Sequence, residues 1–348
     1  MTVTKIAKAD ENSLKEAAQI LGAGGLVIVP TETVYGIAAN ALDTKAMDRL
    51  YAIKKRPRSK PFTLHIDNKD KVDELAVAVP IYAYKLMDKF WPGPLTLVLR
   101  SKNKGSIGLR MPDNEAALTV ISLSGVPVVC PSANISGEKP PVNFQEAIKD
   151  LNGLVDFAID AGPTLLKQES SVVDLTLQPL EVLREGVIKK EDIEAVANKK
   201  TVLFICTGNS CRSVMAQALL EKKLRENNRE DVEVLSAGLM LSGGLPATES
   251  IKELLLKEGI DVSAHISQRV TPLALKKSDI ILVMEKLQEA RILELAPEVK
   301  RRLFLLKEFA KISGDNPDVE DPIGRSLEFY ERTFAVIKEA VERISNII

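Results

Sequence analysis

The sequence predicts an α/β protein of two domains, and three observations predict it. At 348 residues the chain is long for a single domain. Its second half alternates apolar β-branched runs with amphipathic helical runs, the rhythm of a doubly wound parallel sheet. Its first half mixes helical and strand patterns with frequent proline and glycine, which predicts a twisted, mixed α/β sheet. The boundary falls in VANKKTVLF, where the amphipathic run KKEDIEAVAN ends and TVLFIC begins. Domains at 1–198 and 199–348 follow.

The elements run as follows. A helix over 11–23 leads to the strand LVIVP, then to an apolar, glycine-containing stretch. LTLVLR and VPVVCP read as strands, and WPGP, RMPD and SGEKPP as turns. In the second half, a strand at 201–206 is followed by a helix at 213–227 and the strand EVLSAG. A helix at 247–258, the strands IILVM and RRLFLL, and a long helix at 325–347 complete it.

Composition narrows the function. Residues 1–200 carry 26 basic and 25 acidic side chains, and residues 201–348 carry 21 and 23. Neither half has the basic excess of a protein held to nucleic acid mainly through phosphates. Three cysteines make no disulfide framework and fit a reduced, cytoplasmic setting. The two histidines argue against a His/Cys metal cluster, so no protein-ligated metal is expected. No run approaches the roughly 20 apolar residues of a membrane span.

The segment FICTGNSCRS carries chemistry. Cys206 closes a strand, and Arg212 stands where the next helix begins. Backbone N–H groups of such a turn form an anion nest, and the helix adds its positive end. Arg212 adds a planar fork that matches phosphate. The same field favours a thiolate, so Cys206 can be a nucleophile without a histidine base. Gly208 permits a tight backbone, Ser213 can donate to the sulfur and Asn209 can brace the loop. Asp321, in VEDPIG, is the candidate acid for the leaving group.

This half resembles the low-molecular-weight protein tyrosine phosphatases along VLFICTGNSCRSVMAQALL, SAG, GLPAT, GIDVSAHIS, SDIILVM and VEDPIGRSLEFYERT. The resemblance implies Cys206 as nucleophile through a cysteinyl-phosphate, Arg212 as phosphate ligand and Asp321 as general acid. It implies that His265 braces Asn209. Val214 replaces the usual proline after the loop serine, and Ile323 and Gly324 replace aromatics that often follow the Asp-Pro. Ser210 is small and hydroxylic, as in members acting on protein phosphoarginine, where tyrosine phosphatases often carry a bulky aliphatic. Phosphotyrosine, phosphoarginine and a small phosphorylated metabolite therefore stay open as substrates. No cysteine follows Cys211, which argues against arsenate reduction. Cys211 itself is either a trap for oxidised Cys206, as in the family, or a packed small residue.

In the first half, PTETVYGIAAN begins with a polar turn, Thr31, Glu32, Thr33 and Gly36, at a strand end. KKRPRSKP is dense in cations and, with two prolines, reads as a loop. Arg56, Lys60, Arg110 and Arg184 offer charge for phosphates and a carboxylate; Ser132, Asn134 and Ser136 offer hydroxyls and an amide. These segments, with ESSVVDL and VLREGV, resemble the threonylcarbamoyl-AMP synthases of YrdC-type fold over 11–190. The resemblance implies condensation of L-threonine, bicarbonate and ATP, with Mg2+ on the phosphates, for enzymes that modify tRNA. By matched position it implies Thr33, His65, Arg110, Ser132 and Ser170 for threonine. For ATP it implies Lys54, Arg56, Lys60, Ser106, Asn134 and Arg184. Lys60 stands for a commoner asparagine and Ser171 for a threonine. A regulatory module that contacts double-stranded RNA or tRNA, or senses a nucleotide, is the competing reading.

Overall fold

The computed structural model describes residues 3–240 and 243–348. The chain divides into two compact units, Met1–Ala197 and Asn198–Ile348.

In the first unit ten strands form one mixed sheet. They are β1 (Lys5–Lys8), β2 (Val27–Val29), β3 (Gly36–Asn40), β4 (Leu64–His65), β5 (Leu95–Arg100), β6 (Ser106–Arg110), β7 (Val128–Val129), β8 (Phe157–Asp160), β9 (Ser171–Asp174) and β10 (Glu181–Arg184). The order is β1-β8-β2-β3-β7-β4-β6-β5-β9-β10. The sheet mixes parallel pairs (β1 with β8, β4 with β6, β5 with β9) and antiparallel ones such as β2 with β3 and β5 with β6. The alternation of β2 shows how the core is divided. Ile28 packs into one apolar cluster with Leu26, Tyr35 and Phe144, while Val27 and Val29 pack into another with Leu14, Leu21 and Phe157. The first helix, Glu11–Gly22, is capped by Asp10, whose carboxylate accepts from Ser13 N.

Several elements differ from expectation. VPVVCP contributes a strand of two residues only, Val128–Val129. The glycine-containing stretch after LVIVP is itself a fully buried strand, β3. KKRPRSKP is not wholly a loop: Lys54 ends the helix Thr44–Lys54, and Lys55 closes it in the left-handed region at φ 47°.

In the second unit β11 (Lys200–Cys206), β12 (Val232–Gly238), β13 (Ile280–Val283) and β14 (Leu303–Leu305) pair in parallel, in the order β12-β11-β13-β14. Val202, Phe204 and Cys206 of β11 face a core shared with the helices Arg212–Glu226 and Leu327–Ser345. Leu203 and Ile205 face the opposite core, with Ile292 of the helix Lys286–Leu295. A strand covered on both sides explains the unbroken apolar run in the sequence. Since β11 lies inside the sheet, its carboxyl end, Cys206, sits where such sheets hold ligands.

Candidate functional site

In the second unit the loop after β11 folds around one asparagine. Asn209 is fully buried and adopts φ 51°. Its backbone N–H points at Cys206 Sγ at 3.3 Å. Its Nδ2 donates to Ser213 Oγ at 3.0 Å and Ser236 Oγ at 2.8 Å, and its Oδ1 accepts from Gln268 N at 2.8 Å. Its carbonyl accepts from His265 Nε2 at 2.8 Å, which fixes that ring's proton on Nε2. Asparagine suits this place because it tolerates the left-handed region and carries both an acceptor and donors. The conformational demand therefore falls on Asn209, not on Gly208, where an added Cβ would meet only ordinary contacts at 3.5 Å.

Ser213 Oγ lies 3.0 Å from Cys206 Sγ. The following helix begins at Arg212, and its N-cap, Cys211, makes no side-chain capping bond, so the first N–H groups remain for an anion. Val214 is thus the third helical residue, inside the first turn. Burial pushes the Cys211 thiol up, with Cys206 adding to the effect. Ser210 is buried, and its carbonyl accepts from Thr248 N at 3.0 Å. Arg212 is 1% exposed. Its Nη2 meets Asp321 Oδ2 at 2.5 Å, and its Nη1 meets Val319 O at 2.8 Å and Glu285 Oε1 at 3.1 Å. Asp321, 109 residues along the chain from Arg212, is thus brought to the loop that carries Cys206 and Arg212.

Glu285 and Gln288 went unrecognised in the sequence. Gln288 links Glu285 to the loop: its Nε2 donates to Glu285 Oε2 at 2.7 Å and Thr207 Oγ1 at 3.1 Å, and its Oε1 accepts from Met284 N. Gly238 ends the motif SAG. A Cβ there would meet Asn209 N, Gly208 C and Thr207 O, each at 3.0 Å, so the loop rests directly on the end of β12.

In the first unit a cavity of about 340 Å³ gathers seven of the predicted residues, Arg56, His65, Ser106, Arg110, Ser132, Ser170 and Arg184. Its size is that of a small-ligand pocket. Thr33 reaches it through Arg110, whose Nη2 lies 2.8 Å from Thr33 Oγ1. Lys54 and Asn134 sit behind the lining. Lys54 Nζ donates to the carbonyls of Ser132 and Asn134 at 2.5 Å and to Asn134 Oδ1 at 3.0 Å, so it holds the turn that presents Ser132. Burial, then the neighbouring Arg56, lowers Lys54 to about 8. Lys60 stands apart: it is exposed, and its carbonyl accepts from Arg56 Nε at 2.9 Å. Arg56 is further set by Phe62, whose ring centroid lies 5.2 Å from the guanidinium carbon.

Arg184 reaches the cavity through an irregularity of β10. The register with β9 shifts between Val182 and Arg184, and Leu183 and Arg184 both line the cavity. Arg184 donates to Ser170 O at 3.0 Å and to Glu169 Oε1 at 2.6 Å. Glu169 also lines the cavity, at the start of ESSVVDL, and sequence reasoning passed over it. Gly186 is irreplaceable on steric grounds, since a Cβ would lie 2.2 Å from Glu169 O. Among the described residues no group of three His, Cys, Asp or Glu is placed to hold a metal ion.

The comparisons agree with this division. The family model described as telomere recombination, for the Sua5, YciO and YrdC proteins, matches residues 19–186. The model for low molecular weight phosphotyrosine protein phosphatases matches residues 201–347. A threonylcarbamoyl-AMP synthase of Pyrococcus abyssi is 40% identical over 219 residues, which are 60% of this chain and 64% of the relative. This chain thus spans less than two thirds of that relative's length. A Methanocaldococcus jannaschii relative is 35% identical, covering 53% of this chain and 93% of its own length. For the second half, a probable low molecular weight protein-tyrosine-phosphatase of Ralstonia nicotianae is 36% identical over 143 residues, 41% of this chain and 92% of its own. Among solved structures, that of Pyrococcus abyssi Sua5 complexed with L-threonine superposes with a TM-score of 0.53 at 26% identity, covering 88% of this chain and 99% of the other. The chain belongs to the Sua5/YciO/YrdC family in its first half and to the low molecular weight phosphotyrosine protein phosphatase family in its second.

Two expectations follow. Gly238→Ala forces its Cβ against three backbone atoms, so the second unit should lose about 1–3 kcal/mol and most phosphatase turnover. Thermal melting and hydrolysis of an aryl phosphate check this. His65 is buried, and burial with the Arg110 charge lowers it to about 3. The unfolded chain takes up that proton below about pH 6.5 while the folded chain refuses it, so stability falls as pH drops below that value. The stability difference between the unaltered chain and His65→Gln should shrink by about 2 kcal/mol from about pH 7 to about pH 5 in urea melts.

Proposed function

We propose that the chain is a bifunctional enzyme. Its first unit makes L-threonylcarbamoyl-AMP and pyrophosphate from L-threonine, bicarbonate and magnesium-bound ATP, for enzymes that pass the threonylcarbamoyl group to tRNA. The observation that carries this reading is the cavity with its two kinds of arginine. Arg110, paired with buried Glu32 and touching Thr33, suits the amino-acid carboxylate. Arg56, held by the neutral carbonyls of Lys60 and Pro61, keeps its charge for the triphosphate. Positioning and charge neutralisation do the work, and Ser132 and Ser170 orient the amino acid. No helix among the described residues is long and apolar enough to cross a membrane. The small substrates and free thiols fit a cytoplasmic enzyme.

The second unit, in this reading, hydrolyses a phosphorylated protein side chain. Cys206 attacks phosphorus, the loop N–H groups and Arg212 hold the phosphoryl oxygens, and Asp321 protonates the leaving group. Phosphate at Arg212 displaces the two carboxylates that now face it, Asp321 and Glu285, toward the leaving group. A cationic guanidino leaving group gains from that anionic rim, whereas a phenol does not. Beside Asp321, Ile323 is 50% exposed and Gly324 adds no ring to grip an aryl group. These observations favour protein phosphoarginine over phosphotyrosine.

Phosphate release from phosphoarginine and phosphotyrosine peptides, and threonine-dependent pyrophosphate release, test both halves on one purified chain. Cys206→Ser should abolish the first activity, by at least about 1,000-fold, and leave the second within about twofold. Loss of both activities would overturn the reading of independent sites.

A further inference from the structure

The acidic residue of PTETVYG enters the reading above only as the partner of Arg110, and its surroundings are unusual. Glu32 is 3% exposed and Arg110 5% exposed. Glu32 Oε1 accepts from Arg110 Nη2 at 2.6 Å. Glu32 Oε2 is buried without a hydrogen-bond partner among the described residues. A buried ion pair costs desolvation of both charges, and it stabilises a fold only when its remaining atoms are satisfied. Here one oxygen is left bare, so stability is a poor reason for the pair.

The rest of the arrangement points to orientation. Arg110 Nε donates to Gly93 O at 3.3 Å, and Nη2 is shared between Glu32 and Thr33. Nη1 has no protein partner among the described residues, and Arg110 lines the cavity. The Glu32 end is itself anchored. Its carbonyl accepts from Leu166 N at 2.8 Å, and Thr31 Oγ1 ties Thr33 Oγ1 at 2.8 Å and Val34 O at 2.6 Å. A guanidinium gripped on one edge by a fixed carboxylate presents its other edge in one orientation. The pair is also net neutral. It suits a zwitterion, which brings a carboxylate but no net charge, and not a phosphate, which brings charge that the pair cannot neutralise. Arg56 has no such carboxylate among its bonds.

We infer that Glu32 is a positioning and specificity-determining residue: it holds Arg110 Nη1 toward the cavity and reserves that end for the carboxylate of a zwitterionic amino acid. The inference rests on the synthase reading of the first unit.

Calorimetric titration of the full chain with L-threonine and with L-threoninamide, which lacks the carboxylate, tests it. The unaltered chain should prefer threonine. Glu32→Ala should weaken threonine about 10-fold and the amide by less than about threefold, so that the preference largely disappears. Glu32→Gln keeps an acceptor for Nη2 and should restore threonine binding to within about threefold. Equal weakening of both ligands by Glu32→Ala would mean a merely structural role and would overturn the inference. So would threonine binding by Glu32→Gln as weak as that by Glu32→Ala, in chains with matching melting temperatures. Should the unaltered chain bind no threonine, the synthase reading fails as well, which separates that failure from the failure of Glu32.

Discussion

A guanidinium taken out of water must be met by fixed acceptors, and each half of this chain is organised around one. Arg110 and Arg212 are 5% and 1% exposed. Neither can shed its charge, so each needs carboxylate and carbonyl oxygens at hydrogen-bond distance. Arg110 finds Glu32, Thr33 and Gly93; Arg212 finds Asp321, Glu285 and Val319. Of these partners, Glu32 lies 78 residues from Arg110 and Asp321 lies 109 residues from Arg212. Meeting the charge therefore draws remote loops together, and a site results.

The two halves reach this by different sheets. In the second unit a buried parallel strand stops at Cys206, and a short loop leads into a helix whose N-cap makes no side-chain bond, an end suited to an anion. In the first unit no single strand end suffices. β3, β4, β6, β7 and β9 all start or end near the cavity, and an irregularity in β10 adds Leu183 and Arg184. Both units use glycine where a site loop must lie against a neighbour. Gly238 accommodates the phosphate loop, and Gly186 accommodates Glu169 and Ser170. Neither glycine serves a turn; each is required by the absence of a side chain.

Legibility in the sequence followed how local the physics was. Cys206, Arg212 and Ser213 were readable because strand end, loop and helix start are contiguous, and the apolar run of β11 marks its own burial. Glu285 was unreadable because its meaning is a contact with Arg212, across more than 70 residues of chain. Glu32 looked like turn polarity for the same reason. The two-residue strand β4 was hidden because its pairing is set by neighbours and not by any periodicity of its own. The tight backbone expected at Gly208 falls instead on Asn209, which adopts positive φ and is stabilised there by its side-chain bonds.

The two arginines also differ in a way that bears on their chemistry. Arg110 keeps an almost wholly buried carboxylate partner, and nothing about a zwitterionic ligand would require that pair to open. Arg212 faces carboxylates that are 26% and 35% exposed, side chains able to swing into solvent. A phosphate dianion can displace such partners because water compensates them as they leave. On the proposed reading, one arginine is thus fixed to select a ligand. The other is held provisionally, by groups that include the proposed acid.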